Sequence, residues 1–404
     1  MPFVCRTCGD IHLSITEAAL RWFLVRGAGI PVWRTGVFVR ISYRGLRHGI
    51  TAGMRFHAVF LCQRPDNLPA ERLPKESTYS FLPENLQHGP IAKGPLAKIP
   101  FAAAVVGGYN SRFKLRFISY CNKTRRPAIL FADSNIRSER GKTMRKRLKR
   151  LAKQMFLRNL CPKLSAIIPC NRLGVAYWRY YGAPRAQICR STCFCDTDKI
   201  SAAAESNGND LRQRYGIPLK DRLIFTAARL VPVKALDLMA QAFANCQLAE
   251  KGWTWVVAGT GPLRGELARQ ARQSAGDAIK FLGFVPPQDV KALARHSELF
   301  VLPSIYEPHG IVVSEAMAVG TPVIASEVCG AAGDLVVPGK TGWIFKNGSA
   351  ESLESTLATA TASNEKLLAM RPDCQRGFRE WNERYNPVRR APEIITELLN
   401  RCGK

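Results

Sequence analysis

The sequence predicts an α/β protein of two domains, each built on a parallel sheet with helices on both faces. Three observations predict it. The chain has 404 residues, more than one hydrophobic core usually serves. From residue 222 onward, short apolar runs alternate with amphipathic stretches in strand–helix order. The loops that carry the most chemistry all follow strands, where ligands of such sheets bind.

In the second half, residues 222–228 (RLIFTAA) read as a strand and 236–244 as the start of a helix. Residues 253–258 are a strand, followed by a Gly-Thr-Gly-Pro turn. A helix over 263–274, a short strand at 279–282 and a helix over 287–297 come next. The run 299–304 suits a buried parallel strand. Residues 305–310 form a loop, and 311–319 have helical spacing, with Gly320 placed for a left-handed C-cap. A strand over 321–326 tolerates Pro322 at its start.

In the first half, residues 54–62, 102–106 and 128–132 read as strands. Two loops follow such strands: one opens on Gly107 and Gly108, the other is Asp133-Ser134-Asn135. The organisation expected is a first domain over 1–200, a second over 201–365 and closing helices over 366–404 that cross back toward the first domain. The linker falls near 190–220.

Composition narrows the class. The net charge of +28 suggests a polyanionic partner such as nucleic acid, anionic lipid or a phosphorylated substrate. The chain lacks the basic, aromatic-interleaved motif of a nucleic-acid module, so no nucleic acid is expected. No apolar run has the roughly 18–20 residues needed to span a bilayer. Asp10, His12 and Glu17 interrupt any leader-like start, and 13 cysteines, an odd number, fit a reducing compartment. A cytoplasmic protein is expected. Cys5 and Cys8 form a CxxC, and Cys189, Cys193 and Cys195 cluster, but a structural zinc site wants a second regular pair. Ordinary thiols are expected.

The most informative stretch is 299–326, LFVLPSIYEPHGIVVSEAMAVGTPVIAS. Glu307 lies on its loop and Glu315 on its helix, so two carboxylates flank a helix N-terminus whose N–H groups favour an anion. A nucleotide-sugar suits such a place. Its diphosphate would sit at the helix end, at Gly310 and Ile311, and the acids would grip its hydroxyls. In 228–237 (ARLVPVKALD), Arg229 and Lys234 follow a strand and precede a helix, where two cations can neutralise a diphosphate.

These stretches resemble the motifs of the family 4 retaining glycosyltransferases. Glu307 and Glu315 match Glu-x7-Glu, with EPHG and a following GTPVIAS strand. ARLVPVKALD resembles G-R-L-x-x-x-K-G-x-D, with Ala228 and Ala235 where the family often has glycine. Gly259-Thr260-Gly261-Pro262 resembles the family's G-x-G-P turn. Residues 327–343 resemble the segment closing its donor domain, with Asp334 in a place often held by Glu. The resemblance is specific over about 220–345, moderate over 100–200 and weak before 55. Residues 1–45 show no convincing first strand and Gly-rich turn.

The resemblance implies two Rossmann-like domains facing across a cleft, the B-type glycosyltransferase fold. It implies sugar transfer with retention from a nucleotide-sugar donor to a saccharide or lipid-linked acceptor, with no cofactor and no metal. Glu307 would contact the donor sugar, and Glu315 the ribose or neighbouring hydroxyls. Arg229 and Lys234 would meet the donor phosphates, and Gly259 and Gly261 would lie near the base. His309, Gly310 and Ile311 complete the donor side. Asp133 and Asn135 fall where relatives hold a polar residue near the reacting sugar, although Asp133 also reads as a helix N-cap. Gly107 and Gly108 would line the acceptor side or make a plain turn.

Residues 137–158, counted from Arg137 through Arg158, hold ten Lys/Arg and one acid. Met144, Leu148, Leu151 and Met155 make one apolar stripe on a helix there. Such a helix either packs its stripe inward or lies on anionic lipid at the inner leaflet. Two rival readings of the chain remain. One is an epimerase or phosphorylase of the same architecture. The other is a non-catalytic binder of membrane or nucleic acid.

Overall fold

The computed structural model describes residues 57–60, 78–81, 91–93, 101–137, 143–193, 195, 200 and 206–401. The weakly matched start, Cys5, Cys8 and the ends of the 54–62 strand lie outside them. Strands β1 (His57–Phe60) and β2 (Thr78–Phe81) pair in parallel as a separate small sheet.

The remaining first-half elements are β3 (Ala104–Gly107), α1 (Arg112–Lys123), β4 (Ala128–Ala132), α2 (Met144–Leu160), β5 (Ala166–Pro169) and α3 (Arg172–Tyr180). Strands β3, β4 and β5 form a parallel sheet in that order. They are buried runs such as Ala128-Ile129-Leu130, as expected where both faces are covered. Phe113 and Phe117 of α1, Leu157 and Leu160 of α2 and Trp178 of α3 close one core around the sheet.

The second half begins with α4 (Gly208–Arg214), within the stretch that reads as linker. It continues with β6 (Arg222–Ala227), α5 (Leu236–Asn245), β7 (Trp253–Ala258), α6 (Arg264–Ala275), β8 (Ile279–Gly283), α7 (Pro287–Arg295) and β9 (Leu299–Leu302). Then come α8 (Ile311–Ala318), β10 (Val323–Ser326), α9 (Gly330–Leu335), β11 (Gly342–Phe345), α10 (Ala350–Thr361), α11 (Asn364–Tyr385) and α12 (Pro387–Arg401). The strands and helices read from the sequence between 222 and 326 are all present, with ends shifted by a few residues at most.

Six strands pair in parallel in the order β11-β10-β9-β6-β7-β8. Alternation along β6 and β7 divides the core. Leu223, Phe225 and Val256 face one layer of helices, and Ile224, Trp255 and Val257 face the other. A hydroxyl buried among them is satisfied: Thr226 Oγ1 donates to Val301 O at 2.8 Å and accepts from Trp255 Nε1 at 3.0 Å.

The strand order matters for function. From β6 the chain proceeds to β7 and β8 on one side, then returns to β9, β10 and β11 on the other. The sheet therefore switches direction between β6 and β9. A crevice opens outside the carboxyl ends of strands at such a point, and ligands of open α/β sheets bind there.

Helix α2 departs from inward packing of its stripe. Leu157 and Leu160 are buried, but Met144, Leu148, Leu151 and Met155 are 67%, 60%, 56% and 64% exposed. The helix turns a different edge to the core, where Lys153 Nζ lies over the Tyr177 ring at 5.2 Å. Asp133 does not cap this helix, whose N-cap is Thr143.

Candidate active site at the sheet switch point

The loops after β6 and β9 carry the two sequence motifs, and the topology sets them side by side. Ile305 N donates to Val233 O at 3.0 Å, tying one loop to the other. Residues 232–234 make a single 3-10 turn, and Ala235 enters α5 in the left-handed region at φ 48°. An alanine there carries roughly 1–2 kcal/mol of strain that glycine would not. The turn that glycine usually supplies is therefore kept without it.

That turn brings Lys234 Nζ into an ion pair with Glu307 Oε2, both side chains largely buried. Glu307 sits beside the entry to α8. Gly310 stands at that entry with φ 85°, and a Cβ there would lie 2.6 Å from Cys329 Sγ. No side chain caps α8 and its first turn holds no acid, so the helix end keeps its preference for an external anion. Arg229 is exposed on the neighbouring loop. One turn along α8, Glu315 Oε1 meets the amine of Lys291 at 2.6 Å.

Gly259 and Gly261 have a packing role. A Cβ on Gly259 would lie 1.9 Å from Ala228 O, and one on Gly261 2.3 Å from Leu230 O. Their missing side chains let the turn after β7 press against the Arg229 loop, with Leu230 N donating to Thr260 O at 2.9 Å.

The first half meets this end of the sheet directly. Asn135 is 4% exposed and donates to Val328 O at 2.6 Å and Glu307 O at 3.3 Å. It is a strut between the halves, and its amide is committed to backbone oxygens rather than held out to an acceptor. Arg137 pairs with Glu327 at 3.0 Å, and Asn171 Nδ2 donates to Pro308 O at 2.8 Å. Asp334 of α9, its side chain fully buried, pairs with Arg190 at 2.7 Å and Arg172 at 3.7 Å. Tyr385 at the end of α11 accepts from Arg190 on its hydroxyl at 3.0 Å and from Ser191 on its carbonyl at 3.1 Å. Gly107 and Gly108 turn round the buried Lys114, whose amine donates to Gly107 O at 2.6 Å and Asn110 Oδ1 at 2.8 Å.

The His309 side chain turns inward. The residue is 6% exposed, and its ring stacks on Trp381 with centroids 6.4 Å apart. Cys193 lies beside it. A hydrogen bond with Cys170 draws it down to about 5 from 9.0; burial opposes this and the charge of His309 assists it. Burial alone would lower His309. The charges of Cys193, Asp334 and Glu307 outweigh it and hold the ring above 6.5.

These shifts link stability to pH. A lowered thiol contributes stability that is present above 9.0 and lost as pH falls toward about 5. A raised imidazole contributes stability that is present below 6.5 and lost as pH rises through its folded value. Between about 5 and 6.5, the folded pair therefore holds one proton where the unfolded pair holds two. The urea midpoint is expected to fall as pH drops through that window. The Cys193→Ala/His309→Phe double variant should lose this slope. An unchanged slope would show that other groups cause it.

Lys291 and Arg190 escape sequence reasoning, and Cys193 shows there only as one of a cysteine cluster. Lys291 has no local signal beyond a charge in the otherwise apolar turn 291–294, and Arg190 belongs to no motif. Among the described residues, no group of three His, Cys, Asp or Glu side chains is arranged to hold a metal ion.

Known proteins resemble this chain in sequence and fold. Residues 208–375 match the family described as glycosyl transferases group 1. MJ1607 of Methanocaldococcus jannaschii, named as a glycosyltransferase, is 34% identical over 122 residues, 30% of this chain and 31% of its own. The amylovoran biosynthesis glycosyltransferase AmsK of Erwinia amylovora is 28% identical over 202 residues, 46% of this chain and 48% of its own. The chain thus spans about a third to a half of the length of these curated relatives. The crystal structure of Anabaena HepE in complex with UDP and glucose superposes with a TM-score of 0.60 at 19% identity, over 81% of this chain and 86% of that one. The chain has the B-type glycosyltransferase fold. Lys234, Glu307, Gly310, Ile311 and Glu315 all lie within the matched group 1 segment.

Proposed function

We propose that the protein moves a sugar, with retention, from a nucleoside-diphosphate sugar to a saccharide or lipid-linked acceptor in the building of envelope polysaccharide or glycolipid. The observation that carries this reading is the Lys234–Glu307 pair, set at the sheet switch point beside the uncapped start of α8. A donor diphosphate entering the crevice takes up Lys234, Arg229 and the helix end. Glu307, released from Lys234, accepts from hydroxyls of the donor sugar.

As the glycosidic bond breaks, negative charge builds on the diphosphate, and those cations and N–H groups offset it without reorganising. The sugar passes through an oxocarbenium-like state. No metal is needed for charge balance in this scheme, because two side-chain cations and a helix end face the diphosphate. AmsK is named for polysaccharide biosynthesis and HepE was solved with UDP, which makes UDP-sugars the first donors to test.

The test is thermal melting with UDP, GDP, ADP and their sugar conjugates, alongside the Arg229→Ala/Lys234→Ala variant. A nucleotide at 100 times its dissociation constant adds about 2.7 kcal/mol, a rise of several degrees. A rise with one nucleotide that vanishes in the variant supports the site. No rise with any nucleotide overturns the donor reading.

Attachment to an anionic membrane belongs to the same proposal. The exposed stripe of α2 lies among Arg145, Arg147 and Lys149, an apolar band edged with positive charge. Among the described residues, no helix is long and apolar enough to cross a membrane, so contact through α2 would be at the surface. Vesicles rich in phosphatidylglycerol are expected to sediment the protein at low salt and release it at high salt. Leu148→Asp/Leu151→Asp should stay in the supernatant. Equal sedimentation of that variant would remove α2 from the proposal.

A further inference from the structure

We infer that Lys291 is a positioning residue, holding Glu315 so that one carboxylate oxygen selects a ribose over a deoxyribose in the donor nucleotide. This rests on the donor reading above and on the ribose contact that the resemblance to family 4 implies for Glu315. Lys291 is 4% exposed on α7, which packs against α8. Its amine lies 2.6 Å from Glu315 Oε1. No other hydrogen bond or ion pair of either side chain occurs among the described residues.

Stability does not explain this lysine. A buried ion pair is weak evidence for stability, and apolar residues of similar volume often serve as well or better. The rest of its helical turn, Ala292, Leu293 and Ala294, is buried and apolar, so a methionine would suit that turn. What the amine provides is orientation. Glu315 is reached from α7 on one oxygen, which fixes the side chain and leaves Oε2 as an acceptor. An ionised carboxylate only accepts, so its complement is a ligand hydroxyl. Glu315 lies four residues beyond Ile311, one helical turn from the α8 end proposed for the diphosphate. That place suits the ribose, which the resemblance gives Glu315 to meet and whose hydroxyls lie near the diphosphate. A site built around a substrate hydroxyl rejects the analogue lacking it, because its own polar group is left unpaired.

The experiment measures dissociation constants of UDP, 2′-deoxy-UDP and 3′-deoxy-UDP for wild type, Lys291→Met, Lys291→Arg and Glu315→Gln. The wild type is expected to bind UDP at least about tenfold more tightly than one of the deoxy analogues. Lys291→Met should lose most of that ratio by weakening UDP while leaving the discriminated analogue near its wild-type value. Glu315→Gln should lower the ratio as well, and Lys291→Arg should retain most of it. The Lys291→Met/Glu315→Leu pair removes both charges and serves as the folded control: its melting should recover relative to Lys291→Met while the ratio stays lost. A merely structural lysine would weaken all three ligands alike, and an undiminished ratio in Lys291→Met overturns the inference. Wild type that binds UDP without discrimination overturns it too, leaving the donor reading intact. Wild type that binds none of the three overturns the uridine-donor reading and this inference together.

Discussion

Lys234→Ala is expected to lower kcat by two to three orders of magnitude with the fold intact. Removing one preorganised group aimed at developing transition-state charge costs about 10²–10³ in kcat. Lys234 is such a group on the donor reading, since the 3-10 turn at 232–234 and the left-handed Ala235 set its amine against Glu307, beside the start of α8, before any ligand arrives. The loss should fall on kcat and kcat/KM alike, because the diphosphate gains most of its charge only as the sugar leaves. Glu307→Ala should be comparably inactive for a different reason, the loss of donor-sugar contacts. Circular dichroism and melting check that each variant is folded, and steady-state transfer measures the effect. Near wild-type turnover in either would remove these residues from the chemistry.

Asp334→Ala is expected to destabilise the protein by about 3–5 kcal/mol, the usual result of leaving a buried charge unpaired. Its carboxylate is fully buried and faces Arg190 at 2.7 Å and Arg172 at 3.7 Å, while also accepting from Arg172 N at 3.1 Å and Trp381 Nε1 at 3.4 Å. Three parts of the chain converge on it: the start of α3, the segment after that helix, and α11. A drop in Tm on the order of 10 °C is expected for a loss of this size. Asp334→Asn keeps the shape and some hydrogen bonding, so it should melt between wild type and Asp334→Ala. If Asp334→Ala melts within a degree or two of wild type, the cluster does not hold the halves together.

Much of this is legible in the sequence because its causes are local. The apolar run 299–302 flanked by polar loop residues suits a buried strand, and Gly320 at φ 87° ends α8 as a C-cap glycine does. Ala235 is visible as a departure from glycine, and its φ of 48° shows that the turn survives the change. Asn135 is less legible, because a polar residue after a strand looks the same whether its amide meets a ligand or a backbone oxygen across the cleft. His309 hides its role for a similar reason. A histidine on a functional loop suggests a contact, but the ring turns inward onto Trp381, 72 residues later in the chain. The stripe of α2 shows the limit of periodicity, which places side chains on one face without saying which face the core takes.

By itself, then, the sequence determined the alternation of strands and helices, the two motif loops and the cations and carboxylates they carry. Periodicity, turn residues and charge are properties of neighbouring residues, and neighbouring residues are what a sequence displays. Only the tertiary structure decided that β6 and β9 are adjacent, although more than 70 residues separate them, and so that Lys234 meets Glu307. It alone placed Lys291 against Glu315 and Arg190 against Asp334. Those pairings follow from strand order and helix packing, which the whole chain settles together as it buries both faces of one sheet.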